Sequence, residues 1–293
     1  MFKRIALFAM TNFAVLMVLG VVMNLLEPWL VRNGYSVHNT QILLFALIFG
    51  MGGSLISLAL SKRMALSSTG AKIIEQPRTQ SEQWLVNTVR RQAEAAGIGM
   101  PDVAIYQAPE PNAFATGMSR NNALVAVSSG LLQHMNADEV EAVLGHEVSH
   151  VANGDMVTLT LLQGVLNTFV LIFSRVLGQI IDRAVFRSER DYGPGYFIAV
   201  MVAQVVLGIL ATMIVMAFSR WREYRADRGG ANLAGREKMI NALRRLGGAQ
   251  GANSLPEGVE AFGISGRMGA GVKRLFMSHP PIADRIRALS ANG

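Results

Sequence analysis

The chain has 293 residues, half of them hydrophobic and only 16% charged, with a positive mean hydropathy. That balance excludes an ordinary soluble domain and a disordered chain, and points to membrane spans. The absence of cysteine excludes a disulfide framework and thiolate metal ligands. The net charge of +7 gathers beside hydrophobic runs, which suits membrane topology and anionic lipid and leaves no case for nucleic acid.

In chain order, Ile5 to Leu26 carries no charge and extends about 33 Å as a helix, enough to cross the hydrocarbon core. It is too long for a signal-peptide core and has no small-residue cleavage site, so it reads as an uncleaved anchor. Asn39 to Leu60 is a second uncharged run, in which Gly50, Gly52, Gly53 and Ser54 permit close helix packing. Lys3-Arg4 before this hairpin and Lys62-Arg63 after it place both ends on the cytoplasmic side.

From Ser61 the chain turns polar. Ser81 to Ala96 has the apolar spacing of an amphipathic helix ending at Gly97. Val103 to Tyr106 and Leu124 to Val127 read as short strands, with Asn112-Ala113-Phe114-Ala115 between them. A helix then starts at Asn136, with Glu139 completing a capping arrangement, and stops at Asn153-Gly154. Its last turns carry His146-Glu147-Val148-Ser149-His150.

Residues four apart share a helix face, so His146 and His150 can offer two imidazole nitrogens to one metal ion. Without cysteine, a zinc site must use histidine and carboxylate, the donor set of catalytic sites. An open coordination position would hold a water whose pKa falls to about 7. Glu147 stands beside the first ligand, where its carboxylate can take that water's proton and return it to a leaving amine.

Met156 to Ser174 is uncharged again, and the apolar character continues past Arg175 to Ile181. Asp182 to Gly195 reads as a loop, and Tyr196 to Ser219 is another charge-free run. These form either a second transmembrane hairpin or a hairpin partly buried in protein. Glu223 to Leu233 continues the fourth helix, Arg236 to Leu246 is amphipathic, and Ser278-His279-Pro280-Pro281 introduces a final basic helix.

Two histidines leave a zinc site one protein ligand short. His38 lies at the far end of the first hairpin and His134 in a turn before the motif helix. Glu223 and Asp227 share a helix face, so Glu223 can complete the ligand set while Asp227 accepts the ring N–H of a ligating histidine. The motif helix ends just before the third hydrophobic run and Glu223 follows the fourth. A hairpin between them brings both to one membrane face.

With these residues on the page, the chain resembles the HtpX family of bacterial membrane-bound zinc metallopeptidases, relatives of the CaaX prenyl proteases. The likeness runs nearly end to end, through Glu75-Gln76-Pro77-Arg78, Trp84 to Thr88, Asn112 to Gly117, His146 to Asp155, Glu223 to Asp227 and Ser278 to Pro281. It implies an α+β, mainly α architecture: an integral membrane gluzincin-like metallopeptidase with about four transmembrane helices and a small β-sheet beside the zinc-binding helix. It also implies one zinc ion on His146, His150 and Glu223, with Glu147 as base. Asn112, Ala113 and Phe114 look like the edge strand with which thermolysin-like peptidases hold a substrate backbone. His279 either hydrogen-bonds the oxyanion or simply forms a turn before two prolines.

The expected organisation is a transmembrane hairpin over 1–60, a metallopeptidase part over 61–156, a second hairpin over 157–219, and a C-terminal part over 220–293. The expected activity is zinc endopeptidase cleavage of misfolded or damaged membrane proteins, in the stress response of a bacterial inner membrane. Both termini and the active site are expected on the cytoplasmic side. Expected partners are the substrate proteins, the lipid bilayer and other membrane quality-control proteases, with no nucleic acid.

Overall fold

The computed structural model describes residues 46–188, 193–249 and 275–291, together with Leu25, Pro28, Trp29, Val31 and Arg32. The first predicted span, apart from Leu25, and His38 lie outside the described residues. The chain divides into two compact units, one of residues 1–56 with 160–215, the other of 57–159 with 216–293.

In the first unit a π-helical stretch, Leu47–Gly52, leads into helix α1 (Gly53–Thr69). Two later helices are long and apolar enough to cross a membrane. They run Asp155–Ala184 and Pro194–Ala234, and are labelled α5 and α6 below in chain order. Phe197, Ile198, Met201, Val202 and Val206 of α6 leave more than half their surface uncovered, which suits hydrocarbon rather than water. Arg175 does not break α5, since its guanidinium donates to Leu171 O one turn back at 3.0 Å. The small residues of the second predicted span are used for close packing in part. A Cβ at Gly50 would stand 2.8 Å from the Thr168 backbone, and Ser54 lies against Gly164, whereas Gly52 and Gly53 meet nothing among the described residues.

Helix α1 does not end where the apolar run does. It continues through Ser61-Lys62-Arg63 to Thr69, because these residues change the environment but keep good helix propensity. The boundary expected at residue 60 is therefore a change of surroundings within one helix.

The second unit is built on a four-stranded sheet in the order β1-β2-β4-β3, made of β1 (Lys72–Ile73), β2 (Asp102–Tyr106), β3 (Ala113–Ser119) and β4 (Asn122–Ser128). Strands β2 and β4 are parallel, with Val103 opposite Val125, while β1 and β3 pair antiparallel at the two edges. Central β4 is buried on both faces, which explains its unbroken Ala-Leu-Val-Ala-Val run. One face, with Val103, Val125 and Val127, packs on three helices: α2 (Gln80–Ala95), α4 (Ala137–Asn153) and α7 (Arg236–Ala249). The short α3 (Ser129–His134) joins β4 to α4, and α8 (Ile282–Ala291) closes the described chain. The opposite face, with Tyr106, Leu124 and Phe114, is covered by Ala65 and Leu66 of α1.

Helix α4 follows the sequence closely. Asn136 Oδ1 accepts from Glu139 N at 2.9 Å and Glu139 Oε2 accepts from Asn136 N at 3.0 Å, a complete capping box. Gly154 ends the helix in the left-handed region, φ 67°, where glycine is unstrained. Val140, Leu144 and Val148 are fully or almost fully buried; sealing a Leu side chain away from water contributes about 1.5–3 kcal/mol. That apolar face fixes the helix rotation and so decides where His146 and His150 point.

Candidate metal centre

His146 and His150 stand one turn apart on α4, with their Nε2 atoms 3.1 Å from one another. Glu223, on the part of α6 in the same unit, places Oε1 3.2 Å from His150 Nε2 and Oε2 3.5 Å from His146 Nε2. Donors on a tetrahedral zinc ion with bonds of about 2.0–2.1 Å lie about 3.3 Å apart, close to all three separations. One atom from each residue falls within 4.8 Å of the others, and all three residues are buried. Glu223 Oε1 is sealed from solvent without an aligned hydrogen-bond donor among the described residues, a lack that a metal–carboxylate bond would satisfy. Donor type, spacing and the orphaned oxygen fit a divalent cation.

The approach of α6 to α4 depends on glycine. A Cβ at Gly230 would lie 3.0 Å from His146 N, and one at Gly229 would lie 2.7 Å from Ser149 Cβ. With glycine at both positions, the backbone carrying Glu223 and Asp227 comes within reach of the histidines.

Around the ligands lies a ring of charge. Asp227 Oδ1 stands 3.0 Å from His146 Nδ1, at ion-pair distance but off the line of a straight hydrogen bond. Arg285 of α8 grips Asp227 with two bonds, Nε at 2.8 Å and the terminal nitrogen at 2.6 Å. His279 Nδ1 lies 2.7 Å from Glu223 Oε2. On the other side His150 Nδ1 lies 2.7 Å from Asp155 Oδ2, the first residue of α5. Glu147 is half-buried beside the cluster, and its charge reaches His150 and Arg285.

These neighbours set the protonation of the metal-free cluster. Burial disfavours the His146 cation, but the Asp227 and Glu223 carboxylates outweigh it and push the imidazole up to about 10. His150 is raised against the same burial penalty by Asp155 and Glu223. Burial would raise Glu223, yet His146, His150 and His279 together hold it well below the ordinary carboxylate range. Asp227 is likewise depressed, chiefly by Arg285 and His146 against burial. A cation binding here takes the place of protons.

The structure therefore brings together His146, Glu147, His150, Glu223, Asp227 and His279, residues that the sequence reading singled out. Asn112 immediately precedes β3, and Ala113 and Phe114 open that strand at the edge of the sheet. Asn112 O accepts from Ser128 N at 2.9 Å, so by antiparallel alternation the polar backbone groups of Ala113 and Ala115 face away from β4. Sequence reasoning missed Asp155 and Arg285. Asp155 carries a signal, since it sits just past the helix stop and five residues after His150; Arg285 carries none, being one of several arginines in a basic helix.

Comparison with known proteins agrees with this geometry. Residues 79–292 match Peptidase family M48. The chain is 59% identical over 291 residues to Protease HtpX of Thioalkalivibrio sulfidiphilus, with 99% of each chain covered. It is 62% identical over 297 residues to Protease HtpX of Xanthomonas campestris pv. campestris (strain 8004), covering 100% of this chain and 98% of that one. The fold is similar to the crystal structure of S. mikatae Ste24p, with TM-score 0.62 at 15% identity, covering 97% of this chain and 67% of that one. The chain belongs to peptidase family M48, a metallopeptidase that groups with the HtpX proteases.

Proposed function

We propose that the chain is a zinc endopeptidase of the bacterial inner membrane, which cleaves misfolded or damaged membrane proteins on the cytoplasmic side. The observation that carries the reading is the convergence of His146, His150 and Glu223 on one point, with Glu147 beside it. Bound there, zinc would polarise the scissile carbonyl and make a water more acidic. Glu147 takes the proton of the attacking water and delivers it to the leaving amine. Asp227 holds the His146 ring from behind, and Arg285 holds Asp227. His279 is anchored through Nδ1 to Glu223, and in the imidazolium form, where both ring nitrogens donate, its Nε2–H would serve the oxyanion. The outward backbone groups of Ala113 and Ala115 bind an extended substrate segment as an added strand, a mode that reads main chain and suits unfolded clients.

Orientation follows from charge. Lys62-Arg63 follows the second apolar run in the sequence, and the arginines from Arg220 to Arg228 follow the fourth, around Glu223. The test uses detergent-purified protein, metal-stripped and reloaded, with a fluorescently labelled unfolded protein as substrate. Wild type should cleave only with zinc, whereas Glu147→Gln should bind one zinc per chain and lose at least about a hundredfold in rate. Undiminished cleavage by Glu147→Gln would refute the assignment of the base.

A further inference from the structure

We propose that Asp155 is the positioning residue for the second histidine: it fixes the ring orientation and tautomer of His150, so that Nε2 is held toward the metal. The proposal rests on the reading of His146, His150 and Glu223 as the ligands.

The argument starts from where Asp155 sits. On a continuous helix a residue five positions after His150 would point roughly 140° away from it. The helix stops at Asn153, however, and Gly154 turns the chain through the left-handed region before α5 begins at Asp155. That turn brings the carboxylate back under the ring, Oδ2 to Nδ1 at 2.7 Å. Both partners are buried, with Asp155 only 3% exposed.

A carboxylate at Nδ1 makes that nitrogen the one that carries hydrogen. The lone pair is then left on Nε2, which faces His146 Nε2 and Glu223 Oε1. Asp227 Oδ1 stands 3.0 Å from His146 Nδ1, though off the line of a straight hydrogen bond, so each histidine has a carboxylate at its Nδ1 and the two come from different helices.

The rival role is that of an acid at a helix start, favoured by the positive end of α5 and by nearby arginines. Arg222 contacts the Asp155 carbonyl oxygen at 3.5 Å, and Arg225 lies 3.8 Å from Oδ1. An acid serving only that role would make its shortest contact with the helix amides or an arginine. Asp155 is instead buried, with its shortest contact on the imidazole.

The two roles separate in a double-mutant cycle on detergent-purified full-length protein, read as zinc affinity by chelator competition. Asp155→Ala should weaken zinc binding about 10- to 100-fold in wild type and in His146→Ala. In His150→Ala, where no ring remains to be aimed, it should change affinity by less than about threefold on the same scale. Equal loss in both histidine backgrounds would overturn the positioning role while leaving the metal site standing. Should neither histidine variant weaken zinc binding by itself, the ligand assignment fails instead, and the positioning role falls with it. If Asp155→Ala does not fold, the near-isosteric Asp155→Asn runs the same cycle with the same criterion. A visible absorption spectrum of the cobalt-substituted protein gives a second readout. Its ligand-field bands should shift in Asp155→Asn and stay unchanged in Arg225→Ala, and the opposite result refutes the proposal.

Discussion

Replacing Arg285 tests whether the C-terminal helix belongs to the metal centre or merely covers it. The guanidinium is 8% exposed, makes two short bonds to Asp227 and lies 3.6 Å from Glu223 Oε2. Arg285→Ala leaves Asp227 and Glu223, each only 1% exposed, with the histidines as their remaining positive partners. Removing one member of a buried ion pair costs about 3–5 kcal/mol, because the survivor keeps its desolvation penalty. With a urea slope of about 2 kcal/mol/M, the unfolding midpoint of the metal-free protein should fall by about 1.5–2.5 M. Zinc returns positive charge to the same carboxylates, so the loss should be smaller in the metal-loaded protein. Arg285→Lys should recover little, since a single ammonium cannot make the paired bonds to Asp227. The assay is equilibrium urea unfolding in detergent, followed by circular dichroism, with and without zinc. An unchanged midpoint for metal-free Arg285→Ala would refute the reasoning, since the pair would then contribute nothing to holding α8.

Three further outcomes follow from the same cluster. In the metal-free protein His146 is raised, so its contribution to stability is complete below its unfolded pKa of about 6.5 and is lost as pH climbs toward about 10. Glu223 and Asp227 are depressed, so theirs is present above about 4 and disappears in acid. Zinc must displace the imidazole protons; calorimetry at pH 7 in two buffers of different ionisation enthalpy should therefore show proton release, and identical heats would contradict the protonated cluster. Gly230→Ala puts a methyl group 3.0 Å from His146 N and 3.1 Å from Met239 Sδ, an overpacking of about 1–3 kcal/mol. It should lower both the unfolding midpoint and zinc affinity, and if neither moves, the contact between the helices is slack.

How far the sequence could be read depended on whether the physics was local. Asn136, Glu139 and Gly154 set the limits of α4 through bonds within a few residues, and the structure keeps those limits. The apolar stripe and the four-residue spacing then place the two histidines. Glu223 and Asp227 were legible as one helix face, but what brings that face to α4 is the bare backbone at Gly229 and Gly230, a tertiary contact without periodicity. Strand β3 was half seen because Ala-Phe-Ala-Thr-Gly-Met-Ser has no alternation of apolar and polar residues; as an edge strand beside the site it is only partly buried. At two residues, β1 is too short for any pattern. The composition changes at Lys62 and Arg63, while the backbone of α1 continues to Thr69.

Asp155 and Arg285 were illegible for a different reason. A charged residue reads as surface unless its partner is known, and these partners lie across the fold. Once placed, they give the strongest argument for what the centre holds. A buried ionic cluster is weak evidence for stability, since apolar residues of similar size would serve folding as well or better. Glu223, Asp227 and Asp155 are almost fully buried, Arg285 pairs with Asp227 and Glu223, and Arg225 lies 3.8 Å from Asp155, so neutral histidines leave an excess of negative charge. Without metal, the raised affinity of His146 and His150 for protons fills that deficit. A divalent cation fills it in one step, frees both imidazoles as ligands and satisfies the orphaned oxygen of Glu223. The charge balance of the core thus has the same solution as its geometry.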